Sequence, residues 1–493
     1  MGIFTRMWAF VAGRPKARRS YDAASGAARF GDFSKSNLSA NAELDLALVT
    51  LRNRARGLHR NEPFVRRWIS QLKTNVVGEK GFVYRCRAKN DNGGIDRFGN
   101  DMIESLWKPW AKVVTADGIM CWEEFLAMAV ETWGRDGEFF VEKVRLKQAK
   151  YSYALHPFEA DLVDETYSRS ARAGENEIRQ GVEIDGFGRP IAYHVLTEHP
   201  GETVYGQRHA YKRRRRILAD KIIHVFIKSR PGQVRGEPPM SAVMTSTKML
   251  SGYREAEVTG RRLAASKMGF FKRMFQSGSG DIAPLADVET KDGILEMEVE
   301  PGKLSALPPG VEFEKFDMQT FSTDYEQFER QILRSISAGL DISYSNISMD
   351  SSNSSYSSDR SEQIKQRDIW RMLQMFFIRR LAEPIVDDWL DIIFFERYIS
   401  FPVGRLEKFR AGSRLQPRGW AWVDPQKEIQ AALDSRAAGL VSLTHIAAEQ
   451  GRDLSDVFAE IAAEEELAAD MGVTLTFSDK PDTETVEQTA VTE

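Results

Sequence analysis

Asp387, Asp388 and Asp391 are the residues of this sequence whose type and spacing most directly suggest catalysis. Carboxylate oxygens are the ligands that Mg²⁺ prefers, so a group of this kind could serve a metal-dependent nuclease. A helix that carries several carboxylates, however, more often exposes them to water than binds a metal with them. The three aspartates therefore leave a nuclease open as an alternative and do not predict one.

Other catalytic arrangements are absent from the sequence. No G-x-x-x-x-G-K-[ST] phosphate loop occurs, and the glycine-rich stretch 277–280 lacks the lysine that such a loop requires. His194 and His199 are accompanied by neither H-E-x-x-H nor a downstream C-x-x-C, and no G-x-S-x-G elbow is present. We therefore expect a protein that is not an enzyme and that has no cofactor and no metal.

One dense run of basic residues follows Lys212 and consists of Arg213, Arg214, Arg215 and Arg216. Guanidinium groups in such a run can contact DNA phosphates or an acidic partner. The run can equally be a solvated loop before the strand predicted at Ile222. The sequence favours neither interpretation over the other.

Composition limits the classes of protein that remain. A chain of 493 residues is long enough for several domains. It has 68 basic and 71 acidic residues, so it lacks the overall basic surplus of a protein that holds duplex DNA tightly. Two cysteines exclude a disulfide framework and fit a reducing compartment. No apolar stretch is long enough to cross a membrane, and we expect the chain to be made in the cytoplasm.

A polar segment lies between two predicted helices. Residues 325–338 have an apolar face, and a Ser- and Asn-rich loop covers residues 343–358. The following helix is predicted to start with Asp359 and Glu362 as a capping pair, and Pro384 should bend or end it. An uncharged loop held between two firm helices is suited to touching a moving polymer without gripping it.

The long helix predicted from Met240 to Lys267 carries small residues at a spacing of four, namely Gly252, Ala256, Gly260 and Ala264. Each interior glycine costs about 1 kcal/mol relative to alanine, so this row needs a packing reason. Small residues at this spacing form a groove in which a neighbouring helix can lie closely. The alternative is a helix that is merely frayed.

The rest of the chain is punctuated by local signals. The turn DGFGRP at 185–190 separates two alternating runs and predicts a hairpin, and the many Pro and Gly residues of 276–320 predict a small β-rich module. Asp424, Ser442 and Asp453 each predict the start of a C-terminal helix, and glycines predict where these helices stop. The first 38 residues are typical of a flexible basic arm, and the acidic tail 479–493 is typical of disorder.

Several longer stretches resemble, in their order and spacing, the portal proteins of tailed bacteriophages, specifically the lambda-like branch. The resemblance extends from about Tyr21 to Gly472. One departure follows Ala338-Gly339-Leu340, where relatives usually continue with a Pro-containing segment and this chain has Asp341-Ile342-Ser343-Tyr344. The stretches that carry the resemblance are YDAASGAARF, LRNRARGLHRNEPFVRRWISQLKTNVVGEKGF, EIDGFGRPIAYHVL, RPGQVRGEPPMS, PPGVEFEKF, FERQILRSISAGL and WVDPQKEIQAALDSRAAGLVSLTHIAAEQGRDLSDVFAEIAAEEE.

The resemblance implies an α+β portal fold that assembles as a ring, usually a dodecamer, around a channel. The small-residue row would then pack the long helices of adjacent subunits. The implied plan is an N-terminal arm (1–38), a wing (39–238), a first stem helix (239–268), a clip (269–320), a second stem helix (321–340), a tunnel loop (341–358), a tunnel helix with a return to the wing (359–420), a helical crown (421–478) and the tail (479–493).

The resemblance also implies what the protein would do. Double-stranded DNA would pass through the ring during packaging and ejection, without sequence specificity. Lys365 and Arg367 would add a weak positive ring, unless they pair with acidic neighbours such as Glu362. The residues expected to line the channel in the tunnel loop are Ser351, Ser352, Asn353, Ser354, Ser355, Tyr356, Ser357 and Ser358.

The expected partners follow from the same resemblance. They are further copies of the chain, the terminase large subunit, the major capsid or scaffold protein and a head-completion adaptor, and no membrane is involved. The protein would reside in the virion at the portal vertex of the capsid. Another capsid component, such as a shell protein, stays open as an alternative beside the nuclease.

Overall fold

The computed structural model describes residues 37–202, 213–265, 269–273, 289–291, 294–296, 311–315, 325–350, 352, 355–422 and 424–473. Only the backbone is described for Tyr356, for residues 263–265 and for the strands between 269 and 315. Several predictions fall outside the described residues. They concern the arm up to residue 36, the stretch 277–280, Ser351, Asn353, Ser354 and the tail 479–493.

Helices make up most of the described structure. π-helical turns at Lys73–Val77 and Ile378–Ala382 continue two of them. The described α-helices are α1 (Ala40–Asn61), α2 (Pro63–Leu72), α3 (Arg97–Ala111), α4 (Trp122–Asp136), α5 (Met244–Ala265), α6 (Tyr325–Gly339), α7 (Tyr344–Ser348), α8 (Tyr356–Phe377), α9 (Glu383–Phe395), α10 (Leu406–Gly412), α11 (Pro425–Ala437), α12 (Leu443–Glu449) and α13 (Leu454–Asp470).

The described strands form small antiparallel sheets. Their orders are β3-β2-β8, β4-β5-β6-β7, β1-β13, β10-β11 and β12-β9. The strands are β1 (Val83–Cys86), β2 (Glu138–Arg145), β3 (Tyr153–Phe158), β4 (Glu177–Arg179), β5 (Val182–Ile184), β6 (Pro190–Leu196), β7 (Arg214–Leu218), β8 (Ile222–Phe226), β9 (Gly269–Arg273), β10 (Glu289–Lys291), β11 (Ile294–Glu296), β12 (Val311–Lys315) and β13 (Ser413–Gln416).

The hairpin predicted at 185–190 is confirmed, because β5 and β6 pair on either side of it. Its turn is closed by the Asp185 carboxylate, which accepts hydrogen bonds from the backbone N–H groups of Phe187 and Arg189 at 2.9 and 2.8 Å. An aspartate side chain that bonds the backbone ahead of it is typical of such turns. This hairpin is therefore specified by residues that are adjacent in the sequence.

Aromatic side chains form the centre of the main core. The ring of Trp107 lies 5.4 Å from that of Trp122, 5.1 Å from that of Trp389 and 4.8 Å from that of Tyr84. All four side chains are buried. The indole N–H of Trp122 donates to the carbonyl of Phe82 at 3.0 Å, which satisfies its buried donor. α9, which carries Trp389, therefore shares a core with α3, α4 and the start of β1.

Proline positions explain how two helices differ from the predictions. Met240 was expected to start the long helix, but a 3₁₀ turn at Pro239–Val243 comes first and α5 follows. Pro384 does not end the later helix. It stands in the first turn of α9, where its missing N–H breaks no intrahelical bond. The π-helical turn just before it accommodates the change in the helical hydrogen-bond pattern.

The three C-terminal helices begin where they were predicted to begin. Asp424, Ser442 and Asp453 each accept a hydrogen bond from a backbone N–H in the following turn. Gly439 and Gly451 have positive φ angles of 72° and 73° just beyond two of these helices, in the left-handed region that favours glycine. No side chain of α11, α12 or α13 is buried in the single chain. None of the described helices combines the length and apolarity needed to cross a membrane.

Candidate nucleic-acid interface

The polar segment between α6 and α8 is partly helical. Ser343 accepts a hydrogen bond from the N–H of Asn346 and starts α7, which buries Ile347 to 2 % exposure. The prediction of one continuous loop over 343–358 is therefore wrong in its first third. The many Ser and Asn residues of this stretch predicted a loop. Ile347, which is buried in the core, was the one residue that could have indicated a folded turn.

The first part of the segment is held firmly at its base. The buried side chain of Gln366 accepts a hydrogen bond from the N–H of Ser343 at 2.7 Å and donates to the carbonyl of Asp341 at 2.9 Å. Arg67 of α2 donates to the carbonyl of Asn346 at 3.1 Å. These contacts tie the segment to α8 and α2. Only the residues beyond α7 are left to form an exposed tip.

The tip carries one carboxylate, so it is not the uncharged loop that was expected. Asp350 accepts hydrogen bonds from the N–H and the hydroxyl of Ser352 at 3.0 and 2.6 Å. These bonds, together with Tyr344 and the more distant charge of Arg330, lower the pKa of Asp350 below its ordinary value. Arg330 lies 3.5 Å from Asp350, so an opposite charge accompanies this carboxylate at the base of the tip.

α8 begins earlier than predicted. Ser355 and Ser358 form a reciprocal capping box, in which each side chain bonds the backbone N–H of the other. The cap assigned to Asp359 and Glu362 is wrong, because three further residues already have helical geometry. Ser355 and Ser358 are exposed, as are Ser352 and Ser357. The described part of the tip therefore presents hydroxyl groups to solvent.

The two basic residues predicted beside the tip differ in their surroundings. Lys365 is exposed and makes no ion pair within the described residues. Arg367 is half-buried, donates to the carbonyl of Ala421 at 3.0 Å and lies over the Trp420 ring. Glu362 accepts a hydrogen bond from Ser345 and is not at ion-pair distance from either of them. The predicted alternative of pairing with Glu362 is wrong.

The first part of the small-residue row lies on an uncovered face of α5. Gly252 and Ala256 are exposed, Gly260 is half-buried, and the side chain of Ala264 lies outside the described residues. A Cβ atom added to Gly252 would meet nothing within 4 Å. The helix is continuous through this row, so the frayed alternative does not hold there. Its role in packing subunits stays a prediction.

The neighbouring face of α5 contacts α6. The Tyr253 ring lies 5.7 Å from that of Tyr325 and 4.9 Å from that of Phe328. Arg254 and Glu329 add an ion pair at 3.3 Å. The two helices that flank the β-rich module are thus packed against each other within one chain, which leaves the small-residue face free for other contacts.

The basic run is a strand and not a solvated loop. β7 pairs with β6, and Arg214, Arg215 and Arg216 contact the carboxylates of Asp164, Glu142 and Glu183 at 2.5, 3.1 and 2.7 Å. Arg213, just before the strand, accepts the N–H of Thr197 through its carbonyl. Because three of the four guanidinium groups already have carboxylate partners, a contact with DNA or an acidic partner stays a prediction that depends most on Arg213.

The three candidate catalytic aspartates form ion pairs with Lys and Arg side chains of the same chain. Asp388 pairs with Lys143, and Asp387 and Asp391 both pair with Arg410. Burial raises the pKa of Asp387 and of Asp388. Each of these carboxylates already has a cationic side chain beside it, and the three are not grouped around a shared metal position. The geometry gives no support to a nuclease at these residues.

Within the described residues, one group of side chains has atoms close enough to hold a metal ion, namely Glu159, Asp161 and His199. Asp161 is also bonded by Arg56 at 2.6 Å and by Arg52 at 3.3 Å. Two guanidinium groups supply the positive charge that a metal ion would otherwise supply. We therefore interpret this group as part of an ion-pair network.

A buried ion pair fixes the chain where it approaches α5. Arg235, fully buried, donates to the Glu138 carboxylate at 2.7 Å and to the carbonyls of Gln180 and Ala160 at 2.9 and 3.1 Å. Burial by itself raises the pKa of a carboxyl group, but Arg235 and His224 lower the pKa of Glu138 below its ordinary value. Sequence reasoning missed this pair and predicted only a loop here, because no local pattern marks the partners of Arg235.

Comparisons with known proteins give sequence matches over most of the chain. The family model described as phage portal protein, lambda family, matches residues 27–374. A probable portal protein of Halomonas phage phiHAP-1 is 31 % identical over 423 residues, which cover 84 % of this chain and 79 % of that protein. Portal protein B of Escherichia phage lambda is 24 % identical over 318 residues, or 57 % of each chain.

Solved structures give a further comparison. A chain from the neck of an empty GTA particle overlays with a TM-score of 0.44 at 12 % identity, covering 86 % of this chain and 93 % of that one. A chain from the virion of a native gene transfer agent particle overlays with a TM-score of 0.42 at 12 % identity, covering 87 % and 94 %. The sequence matches, which span most of the chain, confirm the resemblance inferred from its motifs: the chain belongs to the lambda family of phage portal proteins.

Proposed function

We propose that copies of this chain gather into a dodecameric ring at one vertex of a capsid and that double-stranded DNA passes through its channel during packaging and ejection. The observation that carries the proposal is the geometry of the polar tip after α7. Its base is hydrogen-bonded to two helices, whereas its described end exposes serine hydroxyls and carries one half-buried carboxylate with an arginine beside it.

A channel for a moving duplex needs contacts that are weak and similar along the DNA. Each lysine or arginine that neutralises a phosphate releases counterions and deepens the binding well. Serine hydroxyls form single neutral hydrogen bonds, each with a net contribution of about 0.5–1.5 kcal/mol. A tip of this kind, repeated around a ring, would let the duplex slide while still touching it. Lys365 would add a weak positive charge next to the tip.

The ring itself would be built through α5. Its packed face holds α6 of the same chain, and its open face carries the small-residue row that includes Gly252 and Ala256. A helix of the adjacent subunit can approach such a face closely, because no large side chain intervenes. α11, α12 and α13, which bury no side chain in the single chain, would also find their packing in the ring.

We further propose where the partners bind. The β9–β12 region would receive the terminase large subunit and later the head-completion adaptor. The region from α1 to β8 would contact the major capsid or scaffold protein, at the portal vertex of the virion. The chain itself would carry out no catalysis, in line with the ion pairs that its candidate aspartates make with Lys143 and Arg410.

Deletion of residues 351–354 tests the proposal. This change removes most of the tip but keeps the Ser355 cap of α8 and the bonds at the base of the segment. We expect rings of normal appearance in negative-stain images and a loss of DNA packaging or retention in infected cells. The control replaces the same four residues by Gly-Ser-Gly-Ser, which keeps length and polarity and should keep function. If the deletion abolishes the ring but leaves DNA handling unchanged in whatever assembles, the proposal is wrong.

A further inference from the structure

Three arginine side chains surround one tryptophan where α8 meets the segment that leads to α11. The guanidinium carbons of Arg367, Arg371 and Arg418 lie 6.0, 5.8 and 5.6 Å from the centre of the Trp420 ring. Arg367 and Arg371 stand one helical turn apart on α8, and Arg418 comes from the facing segment. Two separate elements thus direct positive charge to the same place.

The position of this cluster is fixed by hydrogen bonds. The indole N–H of Trp420 donates to the Asn75 side-chain oxygen at 3.1 Å. The buried amide of Gln374 donates to the backbone carbonyls of Asn75 and Arg418 at 3.1 and 3.2 Å. The tryptophan and the backbone of Arg418 are therefore held against α8, so the cluster does not depend on mobile side chains alone.

Few carboxylates neutralise these arginines. Within the described residues, Arg367 and Arg418 have no carboxylate at ion-pair distance, and Arg371 has one exposed partner, Asp368, at 3.5 Å. Glu428, the acidic residue of α11 that faces Arg367, is bonded to Arg360 at 3.2 Å. Glu79 acts on Arg418 only at longer range. The polar atoms of the half-buried guanidinium groups instead bond backbone carbonyls.

The direction of the pKa shifts agrees with this shortage of carboxylates. Burial lowers the pKa of Arg367, Glu428 raises it in part, and the neighbouring charges of Arg371 and Arg418 lower it further. Burial also lowers the pKa of Arg418. In Arg216, by contrast, the hydrogen bond to Glu183 raises the pKa of the guanidinium. A partly buried arginine whose charged form is disfavoured gains stability when an anion binds beside it.

We propose that Arg367, Arg371 and Arg418, arranged around Trp420, form a binding site for phosphate groups of the DNA backbone. Guanidinium groups present several N–H donors in a planar fork that matches phosphate oxygens. The proposal rests on the proposed function for the source of the DNA. It adds a second, charged contact, distinct from the polar tip.

The spacing along α8 suits such a contact. Arg367 follows Ser355, the cap of α8, by twelve positions, which corresponds to about 18 Å at the rise of an α-helix. A duplex that runs beside the helix would therefore meet the serine tip first and the arginine cluster several base pairs away. The tip would let the DNA slide, and the cluster would help to retain it once packaging stops.

A DNA-binding measurement on the assembled full-length protein tests this site. The probe is a short fluorescent duplex, and its affinity is followed by anisotropy at several salt concentrations. Combined Arg367→Gln and Arg371→Gln should weaken binding about tenfold at low salt and reduce the salt slope by about one for each phosphate that is no longer neutralised. Arg371→Gln alone serves as a milder variant, because its side chain is exposed and its replacement should not affect folding.

The matched control is the pair Arg379→Gln and Arg380→Gln. Both residues are exposed on the π-helical turn after α8, and neither has an ion pair within the described residues. This control should bind the duplex like the unchanged protein, and added inorganic phosphate should compete less with DNA in the Arg371 variant than in the control.

Two results would overturn the inference. In the first, the arginine variants form rings that bind DNA with unchanged affinity and salt slope; an open ring would then still support the proposed function. In the second, the variants fail to form rings while single chains and remaining assemblies bind DNA normally. The cluster would then hold an acidic side chain of a neighbouring subunit.

Discussion

Replacing Arg235 by alanine tests whether the buried ion pair stabilises the region from α1 to β8. The change removes the guanidinium that bonds Glu138 at 2.7 Å and leaves that carboxylate fully buried. Glu138 would keep the His224 ring at 3.1 Å and the N–H of Gly236 at 2.9 Å. The nearest remaining cation is Arg52, at 3.5 Å. The variant thus contains a buried charge with incomplete compensation.

Breaking one side of a buried ion pair typically costs about 3–5 kcal/mol, and the nearby Arg52 places this case at about 3 kcal/mol. For a folding unit of this size, about 1 kcal/mol corresponds to a change of roughly 2–4 °C in Tm, so we expect Tm to fall by roughly 6–12 °C. The measurement is the first unfolding transition in differential scanning calorimetry of the full chain.

The destabilisation should also depend on pH. In the unchanged protein the folded-state pKa of Glu138 lies below its ordinary value, so the pair stabilises the protein above about pH 4.3 and this stabilisation is lost as the pH falls towards the folded-state pKa. In the variant, burial without Arg235 raises that pKa, and the carboxyl group takes up a proton at mildly acidic pH. The difference in stability between the two proteins should therefore be smaller at about pH 5 than at about pH 7.5.

Arg230→Ala is the matched control for this experiment. Arg230 lies in the same loop and pairs with Glu43 at 2.7 Å, but both side chains are about half exposed. Its removal should cost less than about 1 kcal/mol. If Arg235→Ala costs no more than Arg230→Ala, or if its cost is independent of pH, the reasoning from burial is refuted.

The remaining predictions concern local geometry. Gln366→Ala should release the backbone at the base of the polar segment, lower the free energy of unfolding by about 1–3 kcal/mol and speed hydrogen exchange over 341–350. Gln363 is exposed, so the control Gln363→Ala should leave exchange unchanged, and equal rates in both variants would contradict the assigned bonds. Gly137→Ala should lower Tm much more than Gly188→Ala. Both glycines have positive φ, but only at Gly137 would the new Cβ lie 2.1 Å from a backbone atom, so equal decreases in Tm would refute the prediction. Gly252→Leu should leave the single chain folded and prevent ring formation in electron micrographs, whereas Gly252→Ala should permit it; rings in both variants would exclude this face from the subunit contact.

Features that depend on neighbours in the chain were predictable from the sequence. The starts of α11, α12 and α13 follow from Asp424, Ser442 and Asp453, since a capping side chain bonds an N–H within the next turn. The hairpin at 185–190 is closed by a bond from Asp185 to residues of its own turn. The family was also predictable, because its motifs extend along the chain in a fixed order.

Tertiary structure decided the features that join distant parts of the chain. A turn of the predicted loop became α7, because Ile347 had a core to enter. The partners of Arg235 and of the Trp420 cluster come from positions far away in sequence, and nothing local records such pairings. The sequence by itself determined the family and the local starts and stops. Which charges are buried and paired was decided only by folding, because the free energy of a charge depends on what surrounds it in space.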